Sequence, residues 1–315
     1  MKRGWLFAVP ACVLLALAAV YGYLWYSVRQ MVQTGLEQLV ASGQFEQAAY
    51  GHLWLTPSAS IQLSDLHLSK PGVDIIIDHI RSREADFFHD HPRYLTVDMD
   101  TIRFPSGLQT VVAADTTFLP GLAGLMAQDN TLPVHATLSF RYEPANDEQI
   151  MVAGTINMPG YFELQGRGEA RQLPMAAVTV LLVTPPALAA ASATRLLAQA
   201  SWRSAEWVLH DTGLVDAQLK AIAASSGTNP EELRTSLMTE LGNYYLLLPT
   251  NLQAISRPML GELAGFLQGG RTLTIAINPA FDGSFLGLQQ ELMGMAVSGN
   301  YEKAMNLLQL KITTQ

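Results

Sequence analysis

Short runs in which apolar and polar residues alternate fill the middle of the sequence and constrain its fold more than any other feature. They span residues 61–68, 73–83, 94–103, 134–142, 149–157, 161–170 and 174–183. A period of two is typical of a β-strand with one buried face, and short turns between such runs favour antiparallel pairing. The pattern predicts a meander of long neighbouring strands between residues 51 and 183.

The first run, SASIQLSDLHLS at 58–69, changes phase in its middle. Its first two apolar residues share one face of an ideal strand, and its last two fall on the other face. A β-bulge in the middle returns all four to a common core and bends the sheet, whereas the alternative is one strand ending at Leu63 and another starting at Leu66. The candidate residues of this bulge, and of a groove that the bend shapes, are Ile61, Leu63, Ser64, Asp65, Leu66 and Leu68.

The second half of the sequence mixes helical and strand patterns. We predict a strand at 203–214, two helices over 215–248, a strand at 271–280 and a helical tail at 285–310. Gly227 is placed to end the first helix, and Asn229 is placed to cap the second. The helical pattern at 257–273 has an apolar stripe, which favours packing on the sheet over a partner-binding or membrane-surface face.

An uncharged run from Gly4 to Val28 follows two cations at the N-terminus. Its 22 residues from Trp5 to Tyr26 give a helix of about 33 Å, the thickness of a hydrocarbon core. We therefore predict an uncleaved transmembrane helix with the N-terminus in the cytoplasm, and the alternative is a signal peptide cleaved near Ala18. The residues of the predicted anchor are Trp5, Leu6, Leu14, Leu15, Leu17, Tyr23, Trp25 and Tyr26.

A second apolar stretch, residues 174–200, is interrupted by Pro185-Pro186. Two consecutive prolines break a helix near mid-membrane, so this stretch favours a buried strand, a turn and a helix over a second span.

The predicted fold class is α+β: one N-terminal transmembrane helix, then a curved, mostly antiparallel β-sheet with helices packed on it in the C-terminal half. The chain divides into a transmembrane anchor at 1–30, a membrane-proximal helix at 31–50, a β-rich domain at 51–183 and a mixed region at 184–315. That last region either continues the same sheet or forms a second subdomain.

Charge and motifs argue against two broad classes of function. The net charge of −8 and the acidic helix pair at 222–237 do not suit a nucleic-acid phosphate backbone. The sequence has no nucleophile elbow, no phosphate-binding loop and no full dinucleotide fingerprint, and its one cysteine lies in the apolar N-terminal run. We expect a protein that is not an enzyme and binds neither a cofactor nor nucleic acid.

The segment DFFHDHP at 86–92 is the most reactive-looking cluster. His89 and His91 point the same way in an extended chain and are weak candidates for a shared metal ion. Because a metal site needs three or four ligands and no further ligand is evident, a polar loop at a strand end is the favoured interpretation.

Residues 48–107 resemble the first part of the AsmA-like proteins of the bacterial envelope. The resemblance rests on the strand LSDLHL, the strand IIIDHI, a proline turn and the strand LTVDMDTIRFP. It implies an inner-membrane protein with most of its chain in the periplasm, a sheet that curls into an apolar-lined groove, and a role in handling envelope lipids or maintaining the outer membrane. The alternative is an assembly factor that binds proteins of an envelope complex, similar in layout to the N component of type II secretion.

Overall fold

One antiparallel sheet of eleven strands runs through the protein from residue 47 to residue 314. The computed structural model describes residues 21, 25–43, 45–56, 60–71, 73–86, 89, 93–105, 133–175, 177–178, 186–248 and 250–315. The strands are β1 (Gln47–Ala49), β2 (His52–Leu55), β3 (Ile61–Lys70), β4 (Val73–Ala85), β5 (Tyr94–Arg103), β6 (Val134–Glu143), β7 (Gln149–Met158), β8 (Phe162–Arg171), β9 (Ser201–Asp211), β10 (Thr272–Ile277) and β11 (Lys311–Thr314). Their spatial order follows the sequence, except that β1 and β2 both pair with β3.

Helices flank the sheet at its two ends. The helices are α1 (25–41), α2 (Pro186–Gln199), α3 (Leu214–Ser226), α4 (Pro230–Leu247), α5 (Thr250–Leu267), α6 (Phe285–Val297) and α7 (Tyr301–Leu308). The described part of the chain is therefore roughly α+β, with a large antiparallel sheet and helices.

The predicted fold class is wrong in its transmembrane element, because no helix in the described ranges is both long and apolar enough to cross a membrane. Trp25 and Tyr26, at the start of α1, are described, and the other predicted anchor residues lie outside the described ranges. The physical reason is visible in α1: Val28 is buried, while Arg29 stacks 5.5 Å from the Trp25 ring and Gln30 donates a hydrogen bond to the Tyr26 hydroxyl. This helix is amphipathic: one side packs against the protein, and the other faces polar surroundings.

Two further expectations differ from the structure. The helix predicted at 31–50 ends at residue 41, and the chain then enters β1 and β2. Residues 175, 177 and 178 are helical where a strand was expected, and the rest of that expected strand up to residue 183 is largely outside the described ranges. The helical tail expected at 285–310 is confirmed by α6 and α7, and β11 follows it.

The alternation of the strands separates an apolar face from a polar face of the sheet. On the apolar face, α1 packs against a cluster formed by Leu63, Leu66 and Ile77. A second cluster on that face centres on Val134 and Met158. The middle of the apolar face is less covered, and its exposed residues are Leu138, Val152, Ile156 and Trp207.

The phase change in SASIQLSDLHLS extends across neighbouring strands. Along β3, β4 and β5, two successive core residues are three positions apart instead of two; these pairs are Leu63 and Leu66, Ile77 and Ile80, and Met99 and Ile102. Because each strand gains the same extra residue, the register between β3 and β4 is identical on both sides of Asp65. We call this line of extra residues the phase line.

The phase line ends between β5 and β6. There, two residues of β5, Asp100 and Thr101, lie opposite His135 alone, which is the arrangement of a β-bulge. Positive φ angles of 55° at Asp65 in β3 and 57° at Thr101 in β5 mark the two ends of the line. The bulge that the sequence suggested in β3 is therefore displaced two strands along the sheet, and β3 itself is continuous from Ile61 to Lys70.

Local capping chemistry positions the C-terminal helices. The Asn229 side chain accepts a hydrogen bond from the Glu231 amide, and Gly227 ends α3 with a φ of 68°, which confirms both predicted helix boundaries. Asp211 Oδ1 accepts hydrogen bonds from the first amides of α3, including Leu214 at 2.7 Å. Because Asp211 is the last residue of β9, this carboxylate fixes the angle at which the chain leaves the sheet.

Candidate functional site

The polar face of the sheet is curved around a cavity of about 630 Å³. Thr96 on β5 and Ala276 on β10 both line it, although these strands are five positions apart in the sheet. In a flat sheet, five spacings of about 4.8 Å put such residues roughly 24 Å apart. A single cavity that contacts both strands therefore requires the sheet to curl towards its polar face.

Two transverse rows of side chains form most of the cavity wall. The first row crosses seven strands through Glu84, Thr96, Ser139, Ala153, Arg167, Glu206 and Ala276. The second row crosses five strands through Tyr94, Arg141, Met151, Glu169 and Ser204. The small side chains of Ser139 and Ala153 occupy the middle of the first row, with the charged side chains of Glu84, Arg167 and Glu206 on either side of them.

The charges in the cavity differ in whether they are paired. Arg167 Nε lies 2.6 Å from Glu206 Oε2, and Arg171 lies 3.5 Å from Glu169. Arg141 and Glu84, in contrast, have no ion pair or hydrogen-bond partner among the described residues. The cavity thus offers one unpaired cation and one unpaired anion beside hydroxyl groups, which are the groups that bind a polar or zwitterionic ligand.

Charges elsewhere on the same face are mostly paired with one another. Asp98 binds Arg83 and accepts a hydrogen bond of 2.9 Å from the Thr137 hydroxyl. His135 Nδ1 lies 3.1 Å from Asp100 Oδ1. Asp98, Asp100 and His135 are thus bonded to protein side chains, whereas the side chains of Arg141 and Glu84 are not bonded to any described residue.

Of the two suggested metal ligands, the structure describes His89. His89 Nδ1 lies 2.7 Å from Asp86 Oδ2, and the same carboxylate oxygen accepts the Arg93 amide at 3.0 Å. His91 lies outside the described residues. Across the described ranges, no group of three or more potential ligands is arranged for a metal ion. The Asp86 carboxylate instead bonds to His89 and to the Arg93 amide, and so links the two ends of the β4–β5 connection.

The predicted groove residues lie away from the cavity. Leu63, Leu66 and Leu68 join the apolar cluster under α1, Ile61 pairs with Leu55, and Ser64 and Asp65 lie on the phase line. The cavity lining combines charged and hydroxyl side chains with apolar ones such as Met151 and Ala153. Sequence reasoning missed the cavity residues because it considered only the apolar positions of each strand. Many of the cavity residues occupy the polar positions between them, on β5 to β9.

The fold and the cavity together define an α+β protein with a ligand-sized pocket, lined by both polar and apolar groups, on a curled antiparallel sheet. A family model described as "Uncharacterized protein" matches residues 155–315, and the chain belongs to that family. A search of curated proteins gave no match. The matched region contains the half of the cavity formed by β8, β9 and β10, and the half containing Arg141 and Glu84 precedes it.

Proposed function

We propose that the protein is a non-enzymatic lipid-handling protein of the bacterial cell envelope, acting on the periplasmic side of the inner membrane. In this proposal, the cavity on the polar face binds the headgroup of a zwitterionic phospholipid, and the acyl chains remain outside it. The observation that carries the proposal is the unpaired Arg141 and Glu84 in one cavity.

Several features support a headgroup as the ligand. A guanidinium forms strong charge-assisted hydrogen bonds with phosphate, and a carboxylate does so with an ammonium group. The volume of about 630 Å³ lies within the range of about 300–1,000 Å³ that is common for small-molecule sites. The likeness of residues 48–107 to AsmA-like proteins supports the envelope setting.

A pair of substitutions on one strand tests the proposal. Ala153 lines the cavity, whereas Ile156, three residues along β7, points to the opposite face, where it is exposed, and does not line the cavity. Ala153→Phe adds an aromatic ring inside the cavity, and Ile156→Phe adds one to the same strand outside it. Isothermal titration with dihexanoyl phosphatidylethanolamine is expected to give saturable binding for the wild type and Ile156→Phe, and none for Ala153→Phe.

Two results contradict the proposal. One is the absence of saturable heat with the wild-type protein. The other is equal binding by both phenylalanine variants, which places the lipid elsewhere. Circular dichroism of each variant checks that the sheet is intact. Arg141→Ala is expected to weaken lipid binding by about tenfold or more, because it removes the guanidinium that bonds the phosphate, and Arg195→Ala on an exposed part of α2, its charge control, is expected to leave binding unchanged.

The second candidate is an assembly factor that binds another envelope protein. The observation that favours it is the outer edge of β2, which pairs only with β3 among the described strands and carries Trp54 with 64% of its surface exposed. An open edge is a template for an added strand. If this candidate is right, native mass spectrometry finds a stoichiometric protein partner that Trp54→Lys loses and Ala153→Phe retains.

A further inference from the structure

The helical hairpin of α4 and α5 ends in an apolar tip. Helix α4 ends at Leu247 and α5 begins at Thr250, and the Arg234 guanidinium near the start of α4 donates to the Leu267 carbonyl at the end of α5. The helices are therefore antiparallel, and the end of α4 lies at the far end of the hairpin. We call residues 244–248 the hairpin tip.

Large apolar side chains of the hairpin tip are exposed. The exposed fractions are 61% for Tyr244, 69% for Leu246 and 82% for Leu247. From residue 241 to residue 256 the sequence has no charged side chain, and the flanking charges are Glu240 and Arg257, one of each sign. A soluble surface seldom keeps this many adjacent apolar side chains without a charge between them.

Several backbone carbonyls of the hairpin tip accept hydrogen bonds from protein donors and so do not need water. Gln253 Nε2 donates hydrogen bonds to the carbonyls of Leu246 and Leu248, at 3.3 and 2.9 Å. The Leu248 amide bonds the Tyr245 carbonyl at 3.2 Å. Carbonyls at a helix end normally rely on water, and leaving them unbonded in an apolar medium is costly. At this tip, internal donors satisfy three of them, the carbonyls of Tyr245, Leu246 and Leu248.

The size and charge of the tip favour a lipid bilayer over a second copy of this chain as its binding partner. Even when fully buried, three such side chains cover on the order of 400 Å², about half of what a stable interface buries on each partner, so a second copy of this chain does not account for the tip. A bilayer accepts a small convex apolar tip and requires no complementary surface. Leucine suits the acyl boundary, and tyrosine suits the headgroup level.

We propose that the hairpin tip inserts into the interface of a zwitterionic lipid bilayer, with Leu246 and Leu247 among the outer acyl carbons and Tyr244 at the headgroups. The flanking charges cancel, and the whole chain carries a net charge of −8, so anionic lipid is not required. The inference goes beyond ligand binding in the cavity and does not depend on it, since the tip and the cavity share no residue.

A fluorophore at a single position tests the contact in the full chain. Because Cys12 is the one cysteine of the sequence, Cys12→Ser with Leu247→Cys allows one environment-sensitive NBD label. The matched control is Cys12→Ser with Val297→Cys at the end of α6, where the side chain is 91% exposed. Both labelled proteins are reconstituted with phosphatidylcholine vesicles.

We expect a several-fold rise and a blue shift of NBD fluorescence at position 247, with quenching by nitroxide-labelled lipid, and no change at position 297. Unchanged fluorescence at position 247 in protein that floats with the vesicles overturns the proposal, because the chain is then held at the bilayer by another segment. Equal changes at both positions overturn it as well. Neither result affects the titration of Ala153→Phe, so failure of the cavity proposal remains separately visible.

Discussion

Asp65 occupies a backbone conformation that L-residues rarely adopt, in the middle of a ten-residue strand. Its φ of 55° places it in the left-handed region, where aspartate is tolerated better than most residues. Gly51 lies beside it: a Cβ at Gly51 would come within 2.8 Å of Asp65 Oδ2 and 3.1 Å of Asp65 Cβ. The absent side chain of one residue thus makes room for the unusual conformation of the other.

This contact predicts a coupled pair of substitutions. Gly51→Ala is expected to lower the free energy of unfolding by about 1–2 kcal/mol, because its methyl group meets the Asp65 side chain. In an Asp65→Gly background, the same substitution should cost at least about 0.5 kcal/mol less, since the opposing side chain is gone. Urea unfolding of the four proteins measures the coupling, and additive effects within error argue against the contact.

The sequence alone shows the phase change in β3, but it does not show that the change continues into β4 and β5. Ser64-Asp65 interrupts the alternation of β3 visibly. In β4 and β5, the extra residue lies among alternating polar and apolar residues, so Asp78-His79 and Asp100-Thr101 look like ordinary variation. Only the register between strands reveals that these positions are aligned, and register is a non-local property.

At the scale of elements, the two outer edges of the sheet differ in how far other parts of the chain cover them. Glu262 on α5 covers the β11 edge: its Oε2 accepts the Thr314 amide at 2.6 Å, and its backbone carbonyl accepts the Thr314 hydroxyl at 2.7 Å. At the β2 edge, the Tyr21 hydroxyl donates a hydrogen bond to the Leu55 carbonyl, and β3 is the only strand that pairs with β2 among the described residues. An added strand therefore meets less obstruction along β2 than along β11.

The Glu262 contact predicts a local effect on exchange. Glu262→Ala removes the acceptor of the Thr314 amide, so that amide should exchange with solvent at least about tenfold faster, which corresponds to about 1.4 kcal/mol of local protection. Glu262→Gln retains a side-chain oxygen and should preserve most of the protection. Hydrogen exchange resolved by NMR measures both variants, and equal acceleration in both would mean that the carboxylate charge matters more than the hydrogen bond.

The elements that sequence reasoning found are the long ones. Six alternating runs of eight to eleven residues correspond to β3 through β8 within a few residues, because a long run contains enough periods to reveal its spacing. Strands β1, β2 and β11 have three or four residues and are held in place by their neighbours, so their sequences carry too little periodicity to be recognised.

At the scale of the whole molecule, the sheet joins regions that the sequence divided at residue 184. Strands β8 and β9, on either side of that boundary, pair over ten positions from Phe162–Asp211 to Arg171–Ser201. The cavity depends on this continuity, because Arg167 and Glu206 come from the two sides. The first row of the cavity takes one residue from each of seven strands. No single segment of the sequence therefore predicts the cavity.

Continuity predicts cooperative unfolding across the whole sheet. Val134 is buried in the cluster with Met158, so Val134→Ala should lower the free energy of unfolding by about 1–3 kcal/mol. If the sheet is one unit, hydrogen exchange in rising urea will show the same loss in β9 and β10 as in β6, although residue 134 lies three strands from β9. Val152→Ala, at an exposed position of β7, is the matched control and should shift neither region. A loss of protection confined to strands before β9 would instead establish two units that unfold separately, and the β8–β9 ladder would then be an interface between them.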